Sequence, residues 1–319
     1  MSAIEKNVIM LAPIILFVYN RPWHTKQTVE ALIKNELASE SELYIFADGP
    51  KEDASKRQKN SIKEVREYIH TIKGFKKIII TESDHNIGLD NSVIQAVTKV
   101  IEIHGKVIVV EDDIVTHPFF LRFINQALEL YKNQDNIYMI SGFSYNINFP
   151  KRYKDDVYCV HRCCSWGWGM WSDRWCQVDW ELSNYSKLSN SRKEIKKFNR
   201  GGNDLFKMLQ ILRAQPVCAW DIRWAFCMYE NDGLCINPIH SLVNNIGLDG
   251  SGTHQDNFSN KNFNACFPKT KKYYFEFPVP FKKNSIMDKQ LRFFIDGSPS
   301  LYQRIKYSIK KRLLKLKQV

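Results

Sequence analysis

The sequence of 319 residues predicts an α/β fold built on a Rossmann-like, mostly parallel sheet with helices on both faces. Two observations predict it. Short aliphatic runs alternate with segments whose apolar residues recur every three or four positions, and nearly every position in the short runs is hydrophobic, as in strands buried on both sides. We predict four such strands, at Ile14–Tyr19, Leu43–Ala47, Lys77–Thr81 and Val107–Val110.

Three helices are predicted from apolar residues at helical spacing, one after each of the second, third and fourth strands. Their apolar positions are Ile62, Val65, Ile69 and Ile72, then Val93, Val97 and Val100, then Phe120, Phe123, Ala127 and Leu130. Repeated strand–helix units of this kind bind ligands beyond the carboxyl ends of the strands. The residues that directly follow each strand are therefore the first candidates for function.

The second half of the chain has a looser pattern and predicts a mixed α+β region. It contains a tryptophan-rich stretch, Trp166–Trp175, and a polar segment, Ser183–Gly202, which we interpret as an exposed connection or a charged helix. An apolar pattern resumes over Val217–Leu234. We divide the chain into an α/β half (1–140), a second half of the same domain (141–285) and a basic amphipathic C-terminal tail (286–319).

The apolar run Val8–Tyr19 is interrupted by Pro13 and has one preceding cation, so we interpret it as a first strand rather than a signal sequence. No segment reaches the roughly 18 apolar residues that a membrane-spanning helix needs. We therefore expect a cytoplasmic protein. The eight cysteines include no Cys-x-x-Cys pair, which favours reduced, buried thiols. A zinc site from Cys159, His161 and Cys163 is the less favoured alternative, because a second pair of ligands is missing.

The net charge of +12 is concentrated in the last eighteen residues, which carry no acid. Apolar residues interleave with these cations, a pattern typical of a basic amphipathic helix on an anionic membrane surface. A solvated terminal helix is the alternative. We expect no nucleic-acid partner, because the rest of the chain shows no basic stripe. The cations are Arg304, Lys306, Lys310, Lys311, Arg312, Lys315 and Lys317.

Three adjacent carboxylates, Glu111-Asp112-Asp113, follow directly after the strand Val107–Val110. Their mutual repulsion at the end of a buried strand predicts a divalent cation, Mn²⁺ or Mg²⁺, since these ions prefer carboxylate and phosphate oxygens. The alternative is an acidic cap for the helix that follows His117-Pro118, although capping needs only one acid.

Six short segments occur in a fixed order over roughly residues 13–258. They are Pro13–Arg21, Phe46–Asp48, Val109–Asp113 with the helix start Pro118–Phe120, Gly167-Trp168, Trp220-Asp221 and Gly252–His254. Together they resemble the eukaryotic N-acetylglucosaminyltransferase I family and its bacterial sugar-transferase relatives. The resemblance implies a GT-A fold and an inverting glycosyltransferase, with a nucleotide-sugar-binding first half and an acceptor-side second half. It favours UDP-linked donors and a glycan acceptor.

Carried over by position, the resemblance makes Asp113 the metal ligand and brings Glu111 and Asp112 to the donor sugar and ribose. Arg21 would face the nucleotide phosphates or ribose, and Asp48 the base. An Arg fork suits phosphate, and a carboxylate can accept from a pyrimidine N–H. A surface salt bridge for Arg21 and a turn-forming role for Asp48 are the alternatives. Asn86, a polar residue that follows the third strand, is also predicted to bind the donor.

Asp221 is the predicted general base, which takes a proton from the attacking acceptor hydroxyl. The resemblance is imperfect here, because the family's base is the second acid of a Trp-Asp-Asp motif and Ile222 occupies that place. The alternative is that Asp221 pairs with Arg223 or Arg213 to hold a helix.

Trp166, Gly167 and Trp168 are predicted to contact the donor sugar, because aromatic faces stack on sugars and glycine permits close approach of the backbone. Packing of these tryptophans in the core is equally favoured. His254, on a glycine-rich loop, is predicted as a further metal ligand, and a solvent-facing loop histidine is the alternative.

The predicted function is therefore metal-dependent transfer of a sugar from a nucleotide-sugar to a glycan, including a lipid-linked acceptor in surface-polysaccharide assembly. A catalytically silent, membrane-attached scaffold protein is the alternative from another class. A sugar-phosphate nucleotidyltransferase is disfavoured, because its glycine-rich loop should follow the first strand and no glycine precedes Gly49. The donor sugar, the linkage and the oligomeric state stay open.

Overall fold

The computed structural model describes residues 10–215, 219–250, 267, 275–281 and 285–296. Four parallel strands form one half of its main sheet, in the spatial order β3-β2-β1-β4. They are β1 (Ile14–Val18), β2 (Glu42–Ala47), β3 (Lys77–Glu82) and β4 (Lys106–Glu111). All four lie where the hydrophobic runs predicted them.

Helices cover both faces of these strands. Along β4, Ile108 and Val110 belong to a core packed by α1, α2 and α4, whereas Val107 and Val109 belong to a second core packed by α3. This alternation of side chains is the geometry of a strand buried on both faces. The helices are α1 (Pro22–Ile33), α2 (Lys56–Ile69), α3 (Leu89–His104) and α4 (Phe120–Tyr131). Of the predicted apolar positions on α4, Leu130 is exposed rather than packed.

The second half of the chain completes the same sheet. Four of its strands extend the order to β4-β8-β6-β9-β7, with β8 antiparallel to both of its neighbours and β6 parallel to β9. A separate two-stranded antiparallel sheet, β5 with β10, begins directly beyond the end of β4. The strands are β5 (Ile114–Thr116), β6 (Ile137–Ser141), β7 (Val157–Val160), β8 (Trp168–Trp171), β9 (Leu234–Pro238) and β10 (Val243–Asn245). The predicted α/β fold with a mostly parallel sheet is thus confirmed.

The polar segment Ser183–Gly202 is helical rather than an open connection. It forms two short helices that pack, together with α8, against α9 around a third hydrophobic core. The helices of this half are α5 (Ser172–Trp175), α6 (Tyr185–Ser189), α7 (Arg192–Phe198), α8 (Leu205–Ala214), α9 (Trp220–Glu230) and α10 (Ser285–Ile295).

Residues 286–295, the first part of the predicted basic tail, belong to α10 and pack on the folded body. Met287 and Leu291 are buried, and the Asp288 carboxylate lies 2.7 Å from His161 Nδ1. Residues 297–319, which hold the cation-rich segment, lie outside the described residues. Within the described part of the chain, no helix combines the length and the apolar character that crossing a membrane requires.

Candidate functional site

An arginine and two aspartates form an ion-pair cluster at the carboxyl end of β4. Arg21, in the connection between β1 and α1, pairs with Asp112 through Nε, at 3.3 Å from Oδ2, and through Nη2. Its Nη1 lies 3.0 Å from Asp113 Oδ2. Because β1 and β4 are parallel neighbours, the residues that follow them meet at one edge of the sheet. The structure therefore brings Arg21, Asp112 and Asp113 together, and their contacts with a donor or a metal ion stay a prediction.

Negative charge exceeds positive charge in this cluster. Burial, followed by repulsion from Asp113 and Asp112, raises the pKa of Glu111 to about 8. Burial also raises the pKa of Asp112, although Arg21 opposes that shift. The main cause of both shifts is burial, which disfavours the charged form of a carboxyl group, and the neighbouring carboxylates add to it.

One oxygen of the cluster is buried without a partner. Asp113 Oδ2 faces Arg21, but Asp113 Oδ1 has no hydrogen-bond partner within the described part of the protein. A buried carboxylate oxygen that lacks a donor is costly, and a cation is the natural partner for it. Asp113 therefore fits the role of a metal ligand.

No group of three or more His, Cys, Asp or Glu side chains among residues 10–215, 219–250, 275–281 and 285–296 could hold a metal ion by itself. The binding of Mn²⁺ or Mg²⁺ at Asp113 stays a prediction. His254, the other predicted ligand, lies outside the described residues.

The pKa of Glu111 predicts a pH-dependent stability of the metal-free protein. The folded-state pKa of about 8 exceeds the ordinary value of 4.5, so the protonated form stabilises the fold below about pH 4.5. That contribution is lost as the pH rises towards 8. In EDTA, the melting temperature of the wild type should therefore fall between pH 6 and pH 8 by more than that of Glu111→Gln, which cannot ionise. Equal slopes for the two proteins would contradict this prediction.

The loop 246–250, which follows β10, lies against the ion-pair cluster of Arg21, Asp112 and Asp113. Ile246 N donates to Asp113 O at 2.9 Å, and His24 Nε2 lies 3.1 Å from Asp249 Oδ2. A Cβ at Gly247 would collide with the Asp113 carboxylate, so only glycine allows this approach. No local sequence pattern predicted the contact, because the loop is more than a hundred residues from Asp113 along the chain.

Asp48 and Asn86, the polar residues beyond β2 and β3, contact each other. The Asp48 carboxylate accepts hydrogen bonds from Asn86 Nδ2 at 2.8 Å, Ile87 N at 3.0 Å and Gly88 N at 3.2 Å. It also accepts from Gly49 N at 2.8 Å. Asp48 thus fixes the loop 86–88 that leads into α3, and its contact with a nucleotide base stays a prediction.

Asp221 lies in the first turn of α9, and its charge contributes to the raised pKa of Glu111. The next residue, Ile222, faces the third hydrophobic core and is buried. The two arginines proposed as alternative partners have contacts elsewhere: Arg223 Nη1 lies 3.2 Å from Asp90 Oδ2, and the guanidinium of Arg213 lies over the ring of Tyr185.

The N-terminus of α9 is held by a residue that the sequence did not single out. Asp90, on α3, accepts hydrogen bonds from Ala219 N and Trp220 N, each at 2.8 Å. An acid in the first turn of a helix is an ordinary feature, so nothing local indicated a contact with a second helix.

The predicted sugar contact of Trp168 is replaced by core packing. Trp168 is fully buried, with Trp220 at 5.1 Å and Trp175 at 6.4 Å between ring centroids. Gly167 has a φ of 60°, and a Cβ there would press on Val243 and Phe120. This glycine therefore serves protein packing rather than approach to a ligand.

The third member of that set, Trp166, is only partly buried and packs edge-on against Phe143, with ring centroids 4.7 Å apart. Its contact with a sugar stays a prediction.

The cysteines in the described part of the chain are free thiols. Burial raises the pKa of Cys164 to about 11 and the pKa of Cys163 still further. These thiols are therefore protonated at neutral pH and unreactive as nucleophiles. Cys159, Cys227 and Cys235 are buried as predicted, whereas Cys163 and Cys164 are only partly buried and Cys176 is exposed.

No family model matches the chain, and no curated protein matches it. Among solved structures, the chain is similar to S. aureus TarS, with a TM-score of 0.39 and 13% identity over 73% of this chain and 36% of that chain. It is also similar to the apo form of mouse xyloside xylosyltransferase 1, with a TM-score of 0.36 and 8% identity over 69% of this chain and 82% of that chain. At TM-scores this low, the function has to be inferred from the chain's own geometry.

Proposed function

We propose that the protein is a metal-dependent glycosyltransferase that takes its sugar from a nucleotide-sugar, UDP-linked by resemblance, and inverts the anomeric centre. The observation that carries the proposal is the buried cluster of Arg21, Asp112 and Asp113 at the carboxyl ends of parallel strands. One Asp113 oxygen there has no partner among the described residues. This edge of an α/β sheet is where ligands bind. An Arg beside an unsatisfied acid suits a diphosphate bound together with a cation.

Asp113 would hold the cation, which when bound would offset negative charge on the departing diphosphate. Arg21 is placed to donate to phosphate or ribose oxygens, and its pairing with two aspartates fixes its orientation. Glu111 and Asp112 would accept from hydroxyls of the donor. The loop 86–88, fixed by Asp48, would border the base.

Asp221 would take the proton from the attacking hydroxyl. Its electrostatic interaction with Glu111 supports a place near the cluster. The acceptor in this proposal is a glycan, including a lipid-linked glycan at a membrane surface.

The proposal is tested by thermal shift with UDP-N-acetylglucosamine, UDP-glucose and UDP-galactose, each with and without Mn²⁺. A ligand that binds the native state raises the melting temperature, and we expect a rise that requires Mn²⁺. UDP release in the same mixtures measures turnover. Binding without any UDP release, with or without glycan acceptors, would favour a scaffold protein. A shift only with a nucleoside triphosphate and a sugar phosphate would favour a nucleotidyltransferase.

The cation-rich segment predicts binding to anionic membranes. Each Lys or Arg near such a surface contributes about 1 kcal/mol, so deleting residues 302–319, with seven cations, should release the protein from phosphatidylserine vesicles in a sedimentation assay. The matched control replaces three exposed lysines of α2, Lys56, Lys59 and Lys63, with glutamine and should leave binding in place. Unchanged sedimentation of the truncated protein would reject this role of the tail.

A further inference from the structure

One carboxylate that the proposed reaction has not used, Asp90, lies just after the loop 86–88 and contacts the N-terminus of α9. The loop 86–88 is held on Asp48 by hydrogen bonds from two backbone amides and from Asn86. Two residues later, Asp90 stands in the first turn of α3, and its side chain reaches across to α9.

The contact between Asp90 and α9 is specific in its geometry. Oδ2 accepts from Ala219 N and Oδ1 from Trp220 N, both at 2.8 Å, and Arg223 Nη1 adds a third donor to Oδ2 at 3.2 Å. The N-cap residue of α9 is Ala219, whose side chain cannot accept a hydrogen bond. Asp90 therefore supplies from another helix the cap that the sequence of α9 lacks.

The capped turn is the one that carries Asp221. Trp220, the residue before it, is buried against Trp168, and Cys163 Sγ lies 3.5 Å from Asp221 O. The backbone of this turn is therefore fixed by Asp90 on one side and by Trp168 and Cys163 on the other.

We infer that Asp90 is a positioning residue: it couples the donor-side loop 86–88 to the helix turn that holds Asp221, so that the base is aligned when the donor side is in place. This inference rests on the proposed function. A displacement of about 1 Å of a reacting group can cost roughly 10²-fold in rate. Loss of the Asp90 contacts should therefore appear in kcat and leave donor binding intact.

The test uses the full-length chain, Mn²⁺ and the panel of UDP-sugars, with water as acceptor and UDP release as the readout. For the donor that the wild type turns over, Asp90→Ala should lower kcat by about 10²-fold and change the donor KM by less than about twofold. Asp90→Asn keeps one hydrogen-bond acceptor, so its kcat should lie between that of the wild type and that of Asp90→Ala. Arg223→Gln removes only the ion pair with Asp90 and should change kcat least of the three variants.

The matched control is Ser191→Ala, which removes a helix N-cap from α7 at a place remote from the proposed chemistry. It should lower the melting temperature as capping mutations do and leave both kcat and KM unchanged. If Asp90→Ala behaves like Ser191→Ala, or if Asp90→Asn and Asp90→Ala raise KM without lowering kcat, the inference is overturned.

Hydrogen–deuterium exchange separates this inference from the proposed function. Binding of UDP with Mn²⁺ should slow amide exchange at residues 219–226 in the wild type but not in Asp90→Asn. A wild type that binds UDP and Mn²⁺ without any change at residues 219–226 contradicts the coupling alone. A wild type that neither binds UDP with Mn²⁺ nor releases UDP from any donor overturns the proposed function and this inference with it.

Discussion

Replacing Asp113 with alanine is expected to abolish Mn²⁺-dependent binding of UDP-sugars and to lower kcat/KM for UDP release on the order of 10³-fold. A bound metal ion stabilises a transition state by several kcal/mol. Since each tenfold change in rate corresponds to about 1.36 kcal/mol, that stabilisation corresponds to a rate change on the order of 10³-fold. The physical reason is the buried Asp113 Oδ1, which has no donor in the part of the chain that the structure describes and is the atom best placed to ligate the ion. Isothermal titration of the donor with and without Mn²⁺ measures the binding.

The matched control for this variant is Asp135→Asn, which changes an exposed aspartate in the turn before β6. It should bind donor and metal as the wild type does. If Asp113→Ala retains Mn²⁺-dependent donor binding, the metal is held elsewhere or is not required, and the central element of the proposed site is wrong.

Asp221→Asn is expected to retain binding of donor and metal but to lower kcat by about 10²–10⁴-fold, the usual contribution of a general base. Asparagine has nearly the same shape as aspartate and cannot accept the proton from the attacking hydroxyl. The pattern is therefore the opposite of that for Asp113→Ala: the thermal shift with UDP-sugar and Mn²⁺ persists while UDP release stops.

Glu230→Gln provides the control from the same helix, since Glu230 ends α9 and its carboxylate accepts from Asn184 Nδ2 at 2.8 Å. Its kcat should equal that of the wild type. A wild-type rate in Asp221→Asn would assign the base to another group. Loss of donor binding in that variant would instead place Asp221 on the donor side.

The strands, and the position of Arg21 and the acidic residues at one edge of the sheet, could be predicted from short-range patterns and one general rule. The ion pairs between them were not predicted, because Arg21 was expected to face the phosphates or ribose of a nucleotide. The runs that became β1 and β4 are hydrophobic throughout, and parallel neighbours bring their following residues to one edge of the sheet. Arg21 and Asp113 could therefore be placed together although more than ninety residues separate them.

Other features could not be predicted because they depend on how distant segments pack. The surroundings of Trp168 are set by Trp175 and Trp220, and a tryptophan between two glycines looks the same in sequence whether its ring meets a sugar or another ring. The approach of Gly247 to Asp113 and the reach of Asp90 to α9 likewise involve no local motif. Both contacts depend on the sheet order, which places late segments beside early ones.

The position of β8 between β4 and β6 also has a consequence for synthesis on the ribosome. β4 ends at Glu111, whereas its partner β8 begins at Trp168, 57 residues later. At about 5–20 residues per second, a nascent chain carries the apolar edge of β4 unpaired for roughly 3–11 s. A hydrophobic strand edge exposed for that time is a site for aggregation or for chaperone binding. Synthesis of the strand that completes the sheet beside the acidic cluster thus also ends the period in which this edge of β4 is exposed.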